Sequence, residues 1–114
     1  MSEPIKFRHQ YYKLAQNEFT TIRGKGQFKR RKVGDIVKIE TPSGDFKAEV
    51  VKTALVVVKD ISVGFLRADA EYRGFEIHSH DDFIKLLNSF RPPNWTQVTL
   101  DSELTVMTLR KVKE

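Results

Sequence analysis

A turn between two strand-like segments is the feature that most restricts the fold of this chain of 114 residues. Over residues 35–41 apolar and polar side chains alternate, which is typical of a strand with one face in the core. The tetrapeptide Pro42-Ser43-Gly44-Asp45 is a strong turn signal, and residues 46–51 can return as an antiparallel strand. The sequence therefore predicts a β-hairpin over these residues.

Other segments extend this hairpin into a small α+β domain. Further strands are predicted at residues 4–7, 20–23, 52–60, 95–100 and 104–112. A short helix is predicted at 9–17, a second begins at Ser62, and a third begins at Ser79, whose hydroxyl can cap it. About six strands with two or three short helices indicate a partly closed, mostly antiparallel β-barrel. Its core is expected to contain Val50, Leu55, Val57, Phe83, Leu87, Val106 and Leu109.

Length and composition exclude several classes of protein. A chain of this size forms one domain, so a single domain is predicted over residues 1–114. The absence of cysteine excludes disulfides, thiolate zinc sites and cysteine nucleophiles. No apolar run approaches the roughly 20 residues that span a bilayer, and no apolar signal core follows Met1. We expect a cytoplasmic monomer that uses no cofactor and binds no membrane.

One loop carries most of the positive charge. Six cations and no acid lie between residues 23 and 32, whereas the whole chain has a net charge of only +5. They are Arg23, Lys25, Lys29, Arg30, Arg31 and Lys32. Such a patch beside Gly24 and Gly26 predicts contacts with the phosphates of RNA or of a nucleotide-like ligand. The alternatives are a solvated surface turn and a module that binds an acidic protein partner.

Three further residues are candidates for positioning such a ligand. The planar fork of Arg23 can clamp a phosphate or stack on a base, although an ion pair with Asp35 is the alternative. Thr21 lies two residues before Arg23 in an extended segment, where strand alternation predicts that only one of Thr21 and Ile22 is in the core. Trp95 is either a platform for base stacking or a buried residue of the core.

A cluster of acids and histidines at residues 76–82 has two interpretations. His78 and His80 have the spacing of paired metal ligands on an extended segment. However, Ser79 with Asp82 three residues later has the form of a helix cap, which explains the polar residues without a metal. We therefore predict no metal site.

Several short segments, in one order along nearly the whole chain, resemble the activating-signal-cointegrator-homology (ASCH) family, a branch of the PUA-like β-barrels. They are Asn17-Glu18, Thr21-Ile22-Arg23, Lys32-Val33-Gly34-Asp35, the strand 46–51, Asp60-Ile61-Ser62 and the helix after Ser79. The resemblance implies a six-stranded PUA-like barrel with a cleft around Thr21 and Arg23. It also implies that RNA is the ligand of that cleft.

Some small bacterial members of the family are amidohydrolases that cleave the acyl group from N4-acetylcytidine. They use a lysine, a threonine three residues later and a glutamate ahead of the second helix. The resemblance matches Thr21 to the threonine and Glu76 to the glutamate, as catalytic residues. The lysine position is Glu18, which would add negative charge beside an oxyanion instead of stabilising it. Binding is therefore expected rather than catalysis, with amide hydrolysis on a modified nucleoside as the alternative.

Overall fold

The computed structural model describes residues 3–92 and 94–113. Within these residues the strands are β1 (Ile5–Lys6), β2 (Glu18–Gly24), β3 (Ile36–Thr41), β4 (Gly44–Val57) and β5 (Glu103–Lys111). The helices are α1 (Gln27–Arg30), α2 (Val63–Ala70) and α3 (His80–Ser89), with 3-10 turns at Tyr12–Ala15 and Val58–Asp60. The predicted class, a small α+β barrel-like domain with few helices, is confirmed.

The strands form one mixed sheet that curls into a half-barrel. Its order is β1-β3-β4-β5-β2, and β1 runs parallel to β3 while the other pairs are antiparallel. The predicted hairpin is β3 and β4, in which Ile39 lies opposite Phe46 and the turn consists of Pro42 and Ser43. Gly44 closes that turn with φ +138, a backbone conformation that residues other than glycine rarely adopt.

A single long strand replaces two that were predicted separately. The segments 46–51 and 52–60 are not divided by a turn, because β4 runs without a break for 14 residues. A register shift between Val50 and Lys52 leaves Val51 as a bulge, which bends the strand. Residues 44–49 of β4 pair with β3, and residues 48–57 pair with β5 on the opposite edge. The described residues therefore contain five strands where about six were expected.

The prediction of a strand at residues 95–100 is wrong. This segment is irregular, and β5 pairs with β2 and β4 instead. The reason lies in the side chain of Asn88, which donates to the carbonyl of Val98 at 3.1 Å and accepts from the N–H of Val98 at 2.8 Å. An amide side chain from α3 thus takes the place of a neighbouring strand.

Both helix caps predicted from the sequence are present, whereas the first predicted helix is mostly absent. The hydroxyl of Ser62 accepts from the N–H of Phe65, and the hydroxyl of Ser79 accepts from the N–H of Asp82. The helix predicted at 9–17 is only the 3-10 turn Tyr12–Ala15, and the basic loop contains the one-turn helix α1. No helix in the described part of the chain is long and apolar enough to cross a membrane.

The core lies inside the curl of the sheet, beneath α2 and α3. It contains fully buried side chains from β3, β4, β5, both helices and the segment between the helices: Val37, Ile39, Val50, Leu66, Ile77, Phe83, Met107 and Leu109. Leu87 and Val106 are partly buried against it. Leu55 is 36% exposed, and Val57 is half-buried and is not among the residues packed against this core. The assignment of these two residues to the core was wrong, because the second half of β4 is covered less completely than the apolar run 54–58 predicts.

Leu109 and Leu55 provide a matched test of this arrangement. Truncating Leu109, which is fully buried in β5 between β2 and β4, should lower the free energy of unfolding by about 2–5 kcal/mol. Leu55→Ala should cost about 1 kcal/mol or less. Urea unfolding of both variants measures the two costs. An equal loss of unfolding free energy in both variants would contradict the deeper burial of Leu109 in β5.

Candidate functional site

A cavity of about 510 Å³ opens between β2, the segment after β1, α1, α2 and α3. Its walls differ from the rest of the surface in their charge. Among the described residues that line it six are basic and one is acidic, so the cavity alone has the net charge of the whole chain. The basic residues are Lys6, Arg8, Lys13, Arg23, Arg30 and Arg91, and the acid is Asp69. A concave site with this excess of positive charge attracts anions.

The floor of the cavity contains a buried ion pair. The ammonium of Lys13 lies 3.1 Å from Oδ1 of Asp69, and the two side chains are only 6% and 5% exposed. The hydroxyl of Thr20 donates to the same oxygen at 2.7 Å. The ammonium also lies 4.9 Å from the ring centre of Phe7 and 5.3 Å from that of Tyr11. Burial lowers the pKa of Lys13, and the charge of Asp69 opposes that shift.

Arg23 is held on the wall above this pair by neutral partners. Its Nε donates to the hydroxyl of Thr21 at 2.9 Å, and its Nη2 donates to the carbonyl of Lys6 at 3.0 Å. Its guanidinium carbon lies 4.8 Å from the ring centre of Phe7. Burial lowers the pKa of Arg23, but a guanidinium keeps its charge in proteins. The ion pair with Asp35 considered from the sequence does not form, because Asp35 instead accepts from the N–H of Lys32.

Thr21 faces this arginine from the same side of β2, as residues two apart in a strand do. Its hydroxyl accepts from Arg23, so its own proton remains available to a ligand. Thr21 and Ile22 are both buried, at 2% and 5% exposure. The expectation that only one of them lies in the core was therefore wrong: β2 is covered on both faces, which the alternation rule does not anticipate.

Five aromatic residues also line the cavity, together with aliphatic side chains from β2, β5, α2 and α3. The aromatic residues are Phe7, Tyr11, Phe83, Phe90 and Trp95. The guanidinium of Arg8 lies 5.0 Å from the ring centre of Phe90. Trp95 is 57% exposed, which excludes a position in the core and leaves its ring accessible. Burial raises the pKa of Tyr11 to about 12, so its phenol is neutral at physiological pH.

The six cations of the predicted basic loop have different environments. Arg23 and Arg30 line the cavity, whereas Lys29 and Lys32 are exposed outside it. Lys25 forms an ion pair with Glu103 at 3.1 Å. Arg31, which the sequence predicts as a phosphate contact, is only 5% exposed and donates to the side chain of Gln27 and to the carbonyl of Glu3. Arg31 therefore ties the N-terminal segment to α1, and its contact with phosphate stays a prediction.

The two residues matched to the amidohydrolase pattern are not brought together in the cavity. Thr21 lines it, but Glu76 is exposed and pairs with His78 at 3.4 Å, away from the residues that form its walls. Glu18, at the position of the lysine, forms a surface ion pair with Arg110 at 3.2 Å. The geometry therefore provides a threonine without the carboxylate that the resemblance pairs with it.

Sequence reasoning did not identify Lys13 and Asp69. The sequence contains a signal for Asp69, because Leu66, Asp69 and Ala70 have the spacing of one helical face. In the structure all three side chains are buried. An acid on the apolar face of a helix requires a partner. No such signal exists for Arg8 and Arg91, which are 83 residues apart in the chain and reach the cavity only when it is folded.

The ion pair predicts strong coupling between Lys13 and Asp69. Lys13→Met or Asp69→Leu alone should lower the free energy of unfolding by about 3–5 kcal/mol, because each leaves a buried charge without its partner. The double variant should cost clearly less than the sum of the two single variants, since an apolar pair of similar volume needs no compensation. Urea unfolding of the four proteins gives the coupling energy. Additive costs would show that the two groups do not interact.

Comparisons with known proteins place the chain in a family. No family model and no solved structure matches the sequence. The chain is 43% identical over 102 residues to the uncharacterized protein MJ0364 of Methanocaldococcus jannaschii, an alignment that covers 88% of this chain and 90% of that protein. Because the similarity extends over nearly the full length of both proteins, the chain belongs to the same family as the M. jannaschii protein.

Proposed function

We propose that this protein binds RNA or a nucleotide-like ligand in the cavity. The observation that carries the proposal is the combination of six basic residues with five aromatic residues around one cavity, against a single acid among the described residues that line it. A nucleotide has both complementary parts: its phosphate suits the guanidinium groups, and its base suits the rings.

The aromatic residues favour a nucleotide over an acidic peptide. A peptide rich in Asp and Glu would satisfy Arg8, Arg23 and Arg91, but it would leave the exposed ring of Trp95 without a flat partner. Stacking of a base on an aromatic side chain contributes about 1–3 kcal/mol for each base. Trp95 provides a face for such stacking, and its exposure at the edge of the cavity makes it accessible.

The ASCH resemblance supports the same site. It implies a cleft around Thr21 and Arg23, and both residues line the cavity. Within this proposal the protein is an ASCH-like domain of the PUA-like class. It acts in the cytoplasm as a monomer and does not bind membranes. The proposed site is the cavity and not the whole basic loop, because only two of the six loop cations line the cavity.

A matched pair of double variants tests the location of the site. Arg8→Gln with Arg91→Gln removes two charges of the cavity, whereas Lys29→Gln with Lys32→Gln removes two exposed charges of the loop outside it. The first should weaken binding of single-stranded RNA at least about tenfold, since a hydrogen bond to a charged group contributes about 1.5–3 kcal/mol. It should also flatten the plot of log K against log salt by about 1.4 for two phosphate contacts.

The loop variant should retain most of the affinity. Binding can be followed by the fluorescence of Trp95, which is the single tryptophan of the chain and lies in the cavity wall. A larger loss in the loop variant than in the cavity variant would place the RNA on the loop. Binding of an acidic peptide, with no binding of RNA or nucleotides at low salt, would refute the proposal in favour of a protein partner.

A further inference from the structure

A second cavity, of about 360 Å³, adjoins the first. The two share Lys6, Arg23 and Gln27, which line both. The shared side chains thus form a partition with a cavity on each side. Within the described residues, the second cavity is otherwise lined by the segment Glu3, Pro4 and Ile5 and by Arg31.

The second cavity is also positively charged. Lys6, Arg23 and Arg31 contribute three positive charges, and Glu3 contributes one negative charge. Arg31 is fixed in place, because its Nε donates to the side chain of Gln27 at 3.1 Å and its Nη1 donates to the carbonyl of Glu3. An anionic ligand that leaves the first cavity past the partition therefore continues to meet positive charge.

The partition itself is suited to a phosphate. The guanidinium of Arg23 is oriented by Thr21, by the carbonyl of Lys6 and by the ring of Phe7, and none of these partners carries a negative charge. Lys6 adds an exposed ammonium, since its side chain is 74% exposed and its contact with Glu40 is long, at 3.9 Å. A phosphate held here has one cavity on either side of it.

We infer that the ligand consists of two consecutive nucleotides. One unit occupies the larger aromatic cavity, the linking phosphate lies against Arg23 and Lys6, and the neighbouring unit occupies the smaller cavity beside Gln27 and Arg31. The inference rests on the proposed function and adds a site size to it. A free mononucleotide fills only half of this site, whereas RNA longer than two nucleotides gains little further affinity.

A ligand series with the unmodified protein tests the site size. The ligands are 5′-phosphorylated mono-, di- and trinucleotides of uridine and, separately, of adenosine, and the measurement is titration calorimetry together with the fluorescence of Trp95. The nucleoside diphosphates UDP and ADP are the charge controls, because each has two phosphates but only one nucleoside. In at least one of the two series the dinucleotide should bind about 10–100-fold tighter than the mononucleotide and clearly tighter than the diphosphate. The trinucleotide should add less than about threefold.

The inference is wrong if mono- and dinucleotide bind equally in both series, or if the diphosphate equals the dinucleotide. In either case the proposed function survives, because a nucleotide still binds. If no nucleotide and no RNA binds at low salt, the proposed function fails, and the inference fails with it.

A matched pair of variants tests the place of the linking phosphate. Lys6 and Lys38 both contact Glu40, at 3.9 and 3.5 Å, but only Lys6 lines the cavities. Lys6→Gln should reduce the advantage of the dinucleotide over the mononucleotide about fivefold or more, and Lys38→Gln should leave it unchanged. An equal effect of Lys6→Gln on both ligands, or equal effects of the two variants, would show that no linking phosphate lies at the partition.

Discussion

The buried ion pair between Lys13 and Asp69 is the interaction on which the site depends. It joins the 3-10 turn that carries Lys13 and the neighbouring strand β2, whose Thr20 donates to the same carboxylate, to the distant helix α2 that carries Asp69. A buried charge without a partner is strongly destabilising, so each of these groups restricts the position of the others. The floor of the cavity is thereby fixed before any ligand enters.

This pair also explains why the cavity remains positive. Asp69 accepts from Lys13 and Thr20, and no other acid lines the cavity in the described part of the chain. The arginines are instead oriented by groups without charge. Arg23 donates to a hydroxyl and a carbonyl, Arg8 lies over the ring of Phe90, and Arg91 donates to the carbonyl of Thr96. Neutral partners fix the direction of a guanidinium and leave its charge for an anion, which is how a preorganised anion site differs from a structural ion pair.

The features that the sequence predicted correctly are the ones set by neighbouring residues. The turn at Pro42 and Ser43, and the caps at Ser62 and Ser79, depend on side chains within about three positions, so their patterns survive in the fold. The strand predicted at 95–100 failed because a side chain distant from it in the sequence, that of Asn88, binds the backbone there. No local propensity contains that information.

The site was predicted only in part for the same reason. The density of cations in residues 23–32 indicated one basic surface, but folding gives its members opposite surroundings: Arg23 faces a cavity, Arg31 is buried against α1, and Lys25 is paired with Glu103. The charge of the cavity is assembled from residues as far apart as Lys6 and Arg91, which no run of charge reveals. Charge density along a chain therefore predicts a basic surface, whereas the folded arrangement determines which cations share one cavity.

Arg23 was one of the candidates from the sequence, and the structure gives a physical reason for arginine at this position. Its planar group reaches the hydroxyl of Thr21 with Nε and the carbonyl of Lys6 with Nη2 while its face lies over Phe7. A lysine has one compact ammonium, which cannot hold both acceptors in a plane and also stack on the ring. It would keep the charge but lose the orientation. Because the same residue lines both cavities, that orientation determines where its positive charge lies relative to each of them.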